Sequence, residues 1–240
     1  MPAYSLSNPV VLTFVAIPVL LAAALVWGVL SASRRLGEPR SHGWRLAAIT
    51  TVVAAVWMAV TWTTAASGVY RRFDATPPPL VILVAAIVIL AIRIALTGYG
   101  HRLALGLPLW TLIAVQAFRF PLELAMHALY ERGIMPEQMS YSGRNFDVLT
   151  GITAIAVAVL VQRGLAGLRT VLAWNILGLA LLINIVVTAI LSTPLFRYFG
   201  DDRLNVFVTY PPFVWLPAVM VLSALAGHLL IFRAVAFRRR

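Results

Sequence analysis

An all-α, polytopic membrane bundle of seven helices is the fold this sequence predicts, and three observations carry it. Hydrophobic residues make up 61% of the 240 and charged residues 11%, against roughly 45–50% and 25% in soluble domains; mean hydropathy is +0.91. Apolar runs close to span length recur seven times along the chain. Arginines are shared unequally between the loops at alternate ends of those runs. About 20 apolar residues cross a bilayer core, so residues 1–240 read as a single transmembrane domain with short connections.

The spans are expected at about 9–30, 45–67, 80–97, 105–130, 146–162, 171–192 and 213–233. The first follows a stretch, residues 1–8, with no basic residue, and it is itself span length, so no cleavable signal peptide is expected. Pro18 predicts a kink near its middle. Trp57, Thr61 and Thr64 share one face of the second span, and Pro77, Pro78 and Pro79 lead extended into the third. In the fourth, Pro121 frees the carbonyl of Ala117, which predicts a bend there. The fifth is short, and Gly151, Ala154 and Ala158 give it a small-residue face for close helix contact. Asn175 and Asn184 lie on opposite faces of the sixth, as interhelical hydrogen-bonding groups. The seventh is entered through Pro211 and Pro212 and contains Pro217. Trp27, Trp44, Trp110, Trp174 and Trp215 fall near span ends and read as interface anchors.

Charge orients the bundle. One set of loops and span ends holds Arg34, Arg35, Arg40, Arg45, Arg93, Arg102, Arg163, Arg169, Arg233, Arg238, Arg239 and Arg240, against the single acid Glu38. The other holds Arg71, Arg72, Arg132, Arg144, Arg197 and Arg203 with Asp74, Glu131, Glu137, Asp147, Asp201 and Asp202. Basic loops stay cytoplasmic, which places the amino terminus outside and the carboxyl terminus in the cytoplasm. The net charge of +11 then sits on the cytoplasmic face as topology signal and anionic-lipid contact. No basic domain stands outside the spans, so nucleic acid is not an expected partner.

Cysteine is absent, which removes disulfides and thiolate metal sites. Lysine is absent as well, all 19 basic residues being arginine, so a Schiff-base lysine and with it a retinal-binding opsin are excluded. No dinucleotide, phosphate-loop, zincin or nucleophile-elbow motif occurs, and no cofactor is expected.

The fourth span carries the chemistry. Gln116, Arg119, Glu123, His127 and Tyr130 recur at helical spacing, and at about 100° per residue they form one stripe roughly 80° wide. Ionisable groups facing lipid cost several kcal/mol, so the stripe must face protein or a wet cavity. Arg119 and Glu123 have the i,i+4 spacing of a pair within the helix. Glu123 and His127 share that spacing and are weak candidates for a metal, for which Asp147 or Asp201 would be the outer third ligand. His228 is expected near the cytoplasmic side, away from them. The stripe leads outward into a loop of about 17 residues, long enough to be functional. In it Arg144 is a candidate clamp for an anionic group, and Asn145 and Asp147 suit the amino end of the fifth span. Together with the loop between the sixth and seventh spans it is expected to form an outer vestibule floored by Glu123 and Arg119.

The run Gln116, Phe118-Arg119, Leu122-Glu123-Leu124, His127, Pro136, Met139 and Gly143-Arg144-Asn145-Phe146-Asp147, with Thr150-Gly151 and Trp174-Asn175, resembles an uncharacterised family of bacterial seven-helix membrane proteins. The resemblance implies the topology and a bacterial inner-membrane location, and brings no activity with it. The residues themselves predict an inner-membrane protein that binds, and transports or senses, a small polar or ionic ligand. Its ligand-binding residues would be Gln116, Arg119, Glu123, His127, Tyr130, Arg144, Asn145 and Asp147. Two alternatives stay open: an enzyme with acid/base or metal chemistry at Glu123 and His127, and a structural subunit with membrane-protein partners.

Overall fold

A computed structural model describes residues 8–239. Residues 1–7 and Arg240 lie outside them, and with them most of the amino-terminal stretch without basic residues and the last of the expected cytoplasmic arginines. Every regular element among the described residues is helical. Eight helices follow in order: α1 Pro9–Arg35, α2 Arg40–Ala66, α3 Pro79–Leu96, α4 Gly98–Gly106, α5 Leu109–Glu131, α6 Val148–Gln162, α7 Leu168–Leu191 and α8 Leu216–Arg238. Six of them, all but α4 and α6, are long and apolar enough to cross a membrane. This is a multi-pass membrane protein.

Local chemistry explains most boundaries. Asn8 caps α1, its side chain accepting from the Val10 amide at 3.0 Å, and α1 runs unbroken through Pro18. The expected fourth span divides. Pro108 pushes Leu107 to extended backbone (φ −94°, ψ 142°), so Gly98–Gly106 forms a helix of its own and α5 begins at Leu109. Within α5, Val115–Phe118 tightens to a 3₁₀ turn just before Pro121, where the ring removes the amide that Ala117 would have bonded. The fifth expected span is the 15-residue α6, about 22 Å at helical rise against a hydrocarbon core of about 30 Å. Leu216–Val221, around Pro217, is a π-helical opening of α8.

α5 and α8 are the most buried of the long helices. α8 packs on α3, α4, α5 and α7, and α2 covers α1 at the edge. α6 runs back along α5: Gly151 meets the backbone of Arg119 and Phe120, and Ala154 and Ala158 sit in the apolar layer with Leu112 and Ile113. α7 then reverses along α6, with the Trp174 indole donating to Thr153 Oγ1 at 2.9 Å. Trp174 is thus a core residue, not an interface anchor; Trp27 and Trp44 are exposed.

Two apolar layers divide the bundle across its length. One, towards the 132–147 and 192–215 loops, contains Phe14, Met126, Leu129, Ile185, Phe207 and Met220. The other, towards α4, contains Val29, Leu103, Ile113, Ala158, Val171 and Ile231. Gln116, Arg119, Asn175 and His228 lie between them on α5, α7 and α8. At the α4 end Arg102 pairs with Glu38, and the Arg238 guanidinium donates to the carbonyls of Ala104 and Leu107.

Candidate functional site

The polar layer is a connected, buried network. Arg119 is 1% exposed. It turns across to Asp147 at the start of α6, not to Glu123 on its own helix: Nε donates to Asp147 Oδ2 at 2.6 Å, and Nη2 pairs with the same oxygen. Its remaining nitrogen, Nη1, donates to His228 Nε2 at 2.9 Å. A guanidinium cannot accept, so the imidazole carries its proton on Nδ1, which meets Asn175 Oδ1 at 2.8 Å. Asn175 Nδ2 closes the ring onto the His228 carbonyl at 3.1 Å. Thr150 Oγ1 donates to the other Asp147 oxygen at 3.3 Å.

His228 therefore belongs to the centre, against the expectation that it sits near the cytoplasmic side. Counting helical rise corrects it. Arg119 lies about 18 Å from the end of α5 at Glu131, and His228 about 18 Å from the start of α8 at Leu216. Antiparallel helices of similar length bring those depths level. Gly178 makes the room: a Cβ there would stand 2.8 Å from His228 Cε1 and 2.9 Å from Thr150 Cγ2. Gly227 does the same for Gln116, whose Nε2 donates to the Ala224 carbonyl at 3.2 Å.

Glu123, 2% exposed, is bound separately. Asn145 Nδ2 donates to Glu123 Oε2 at 2.6 Å, and Asn145 Oδ1 accepts from the Asp147 amide at 3.1 Å. Asn145 and Asp147 thus tie the loop and α6 to α5; Asn145 also satisfies an amide at the amino end of α6, whereas Asp147 makes no side-chain cap. Glu123 Oε1 receives no hydrogen bond from the described residues. The local charge is unbalanced: two carboxylates, Glu123 and Asp147, share one guanidinium.

His127 is parted from Glu123 and faces the outer loop. Its Nδ1 meets Ser140 Oγ at 2.8 Å and Ser142 Oγ at 3.1 Å, its Nε2 lies 3.6 Å from Glu131, and its ring stacks on Tyr141 at 4.2 Å. Tyr130 stands beside it at 5.9 Å between ring centroids. Among the described residues no three His, Asp or Glu side chains gather as metal ligands would. Arg144 is exposed and lies over the Phe199 ring at 5.1 Å, its carbonyl taking Asn184 Nδ2 at 2.7 Å.

The two long loops pack down where a vestibule was expected. Met135, Met139, Ser140 and Phe207 are buried, and Gln138 Nε2 donates to Ser192 Oγ at 2.9 Å and to the Arg203 carbonyl at 2.8 Å. The cavity that reaches Glu123 instead has apolar walls. It measures about 240 Å³, lies between α3 and α7 over the π-helical start of α8, and is bordered at depth by Arg119, Glu123, Asn145 and Asp147. Asn205 also borders it, and Asn205 Oδ1 is buried with no hydrogen-bond partner.

The fold and this network define a multi-pass membrane protein with an ionic cluster held inside its bundle. Compared with family models, curated proteins and solved structures, the chain matches none of them.

His228 and Thr150 escaped sequence reasoning. The usable signal was depth along each span, since the ionisable residues at mid-span on antiparallel helices meet.

Proposed function

We propose that the protein binds, and transports or senses, a polar or ionic ligand at Glu123, in the half of the bundle that arginine distribution makes the outer one. The observation that carries this is the unbalanced cluster: a carboxylate with an unpartnered oxygen, beside a second carboxylate and a single guanidinium, on the wall of a cavity. A charge left in hydrocarbon without partners is expensive, so a proton or a bound ligand completes it. Melting curves of the detergent-solubilised protein, scanned over monovalent and divalent cations, ammonium, and small and long-chain amines, should show a ligand-dependent rise. Glu123→Gln should remove that rise while still inserting. A panel without response, or an unchanged response in Glu123→Gln, rejects the reading. It would leave a structural subunit, which the buried Arg119–Asp147–His228–Asn175 network suits equally well.

In this reading the chain crosses a bacterial inner membrane seven times, α6 included, with the amino terminus out. The alternation of α5, α6, α7 and α8 supports it. The chain has no cysteine, so single cysteines report topology cleanly. A membrane-impermeant maleimide should label Tyr198→Cys on intact spheroplasts and Leu165→Cys only after permeabilisation; both parent residues are well exposed. The opposite pattern, or both sites labelled from one side, overturns the orientation.

A further inference from the structure

We propose that the ligand of this site is a lipid-soluble amine, an apolar body carrying one protonated nitrogen, which enters from the bilayer through the groove between α3 and α7. The inference rests on the ligand-binding reading above and names its chemical class and route.

The route follows from the walls. Val88 of α3 and Ile183 and Val187 of α7 line the cavity and are 42%, 53% and 46% exposed, so its mouth opens on the face of the bundle that meets hydrocarbon. The outer end is closed by the loops that hold Gln138 and Met139. A solute that reaches Glu123 this way spends its approach among Leu, Ile, Val and Met side chains, which admits alkyl or aromatic bodies and rejects hydrated ions.

The headgroup follows from what is unsatisfied. Two acceptors on the cavity wall receive no hydrogen bond from the described residues, Glu123 Oε1 and Asn205 Oδ1, on side chains at least 98% buried. Arg119 Nη2, on the same wall, has no acceptor besides the Asp147 oxygen it is ion-paired with. The donors nearby are already committed: Arg119 to Asp147 and His228, and Asn145 Nδ2 to Glu123 and the Met139 carbonyl at 3.0 Å. The site therefore asks for N–H donors and positive charge together. A carboxylate or phosphate would meet Glu123 and Asp147 with no free cation to receive it. A purely apolar guest would leave the acceptors buried and unpaired. A protonated amine supplies three donors and the missing charge.

Dodecylamine, dodecanol and dodecanoate are the probes. With the full chain in nanodiscs, dodecylamine at a hundredfold excess over its dissociation constant should raise the melting temperature by roughly 5 °C, with the alcohol and the acid giving less than a third of that. Dicyclohexylcarbodiimide, a lipid-soluble carboxyl reagent, should modify Glu123, and dodecylamine should slow that labelling at least fivefold. Val187→Trp narrows the mouth without touching the polar layer; it should keep the unliganded melting temperature and lose both the shift and the labelling. Equal shifts from dodecanoate, an unaltered response in Val187→Trp, or a Glu123 that the reagent never reaches would each overturn the proposal. If ammonium or a metal cation stabilises through Glu123 while dodecylamine does not, the amphiphile and its lateral route fall and the ligand site stands. If nothing acts through Glu123, both fall.

Discussion

Replacing Arg119 with methionine should cost the purified protein about 3–5 kcal/mol of stability in a denaturing-detergent titration, and Asp147→Asn should cost nearly as much. The pair is buried on both sides, with side chains 1% and 6% exposed. Removing one member strands the other charge in a low-dielectric interior, and in the arginine variant it also leaves His228 Nε2 without its donor. The diagnostic is the double variant. Arg119→Met with Asp147→Asn removes both charges at once, so it should lose less than the sum of the single losses, by at least about 1 kcal/mol of coupling. Additive losses would mean that the two side chains do not act as a pair.

Gly151→Ala should destabilise by about 1–3 kcal/mol although it adds one methyl group. A Cβ at this position would overlap the backbone of Arg119 and Phe120. Backbone cannot swing aside as a flexible side chain does, so α6 would have to retreat from α5 and loosen the Arg119–Asp147 contact as it went. Gly98→Ala is the matched control, because nothing lies within 4 Å of a Cβ there; it should stay within about 0.5 kcal/mol. Equal effects at the two glycines would contradict the close packing of α5 on α6.

Much of the architecture is readable along the chain because lipid imposes it locally. Apolar length marks a span wherever it occurs, and α1, α2, α3, α5, α7 and α8 follow from that alone. Pro108 and Pro121 act on their own neighbours too: Pro108 ends the preceding helix, so the span expected from residue 105 begins at Leu109. The short α6 shows the limit: length and composition make it an apolar helix, and its place beside α5 comes from Gly151 meeting the backbone of Arg119 and Phe120, with Ala154 and Ala158 in the apolar layer beside Leu112 and Ile113.

The candidate site divides in the same way. Gln116, Arg119 and Glu123 announce themselves, since amide and charge at helical spacing in an apolar span have to be turned inward. Their partners do not. Spacing offers Glu123 to Arg119, one turn along the same helix, whereas the fold supplies Asp147, 28 residues on, and His228, 109 residues on. His127, on the same stripe, leaves the cluster for Ser140 and Ser142 because α5 carries it up into the folded loop.

What the amino-acid order determined alone is that this protein lives in a membrane and that one helix carries charge into it. Transfer free energy is a property of each segment by itself, so it can be summed residue by residue. Which opposite charge answers Arg119, which oxygen stays unpaired, and which side the cavity opens on were decided only when α6, α7 and α8 packed against α5. Those are relations between atoms far apart in the chain, and helical periodicity carries no information about them.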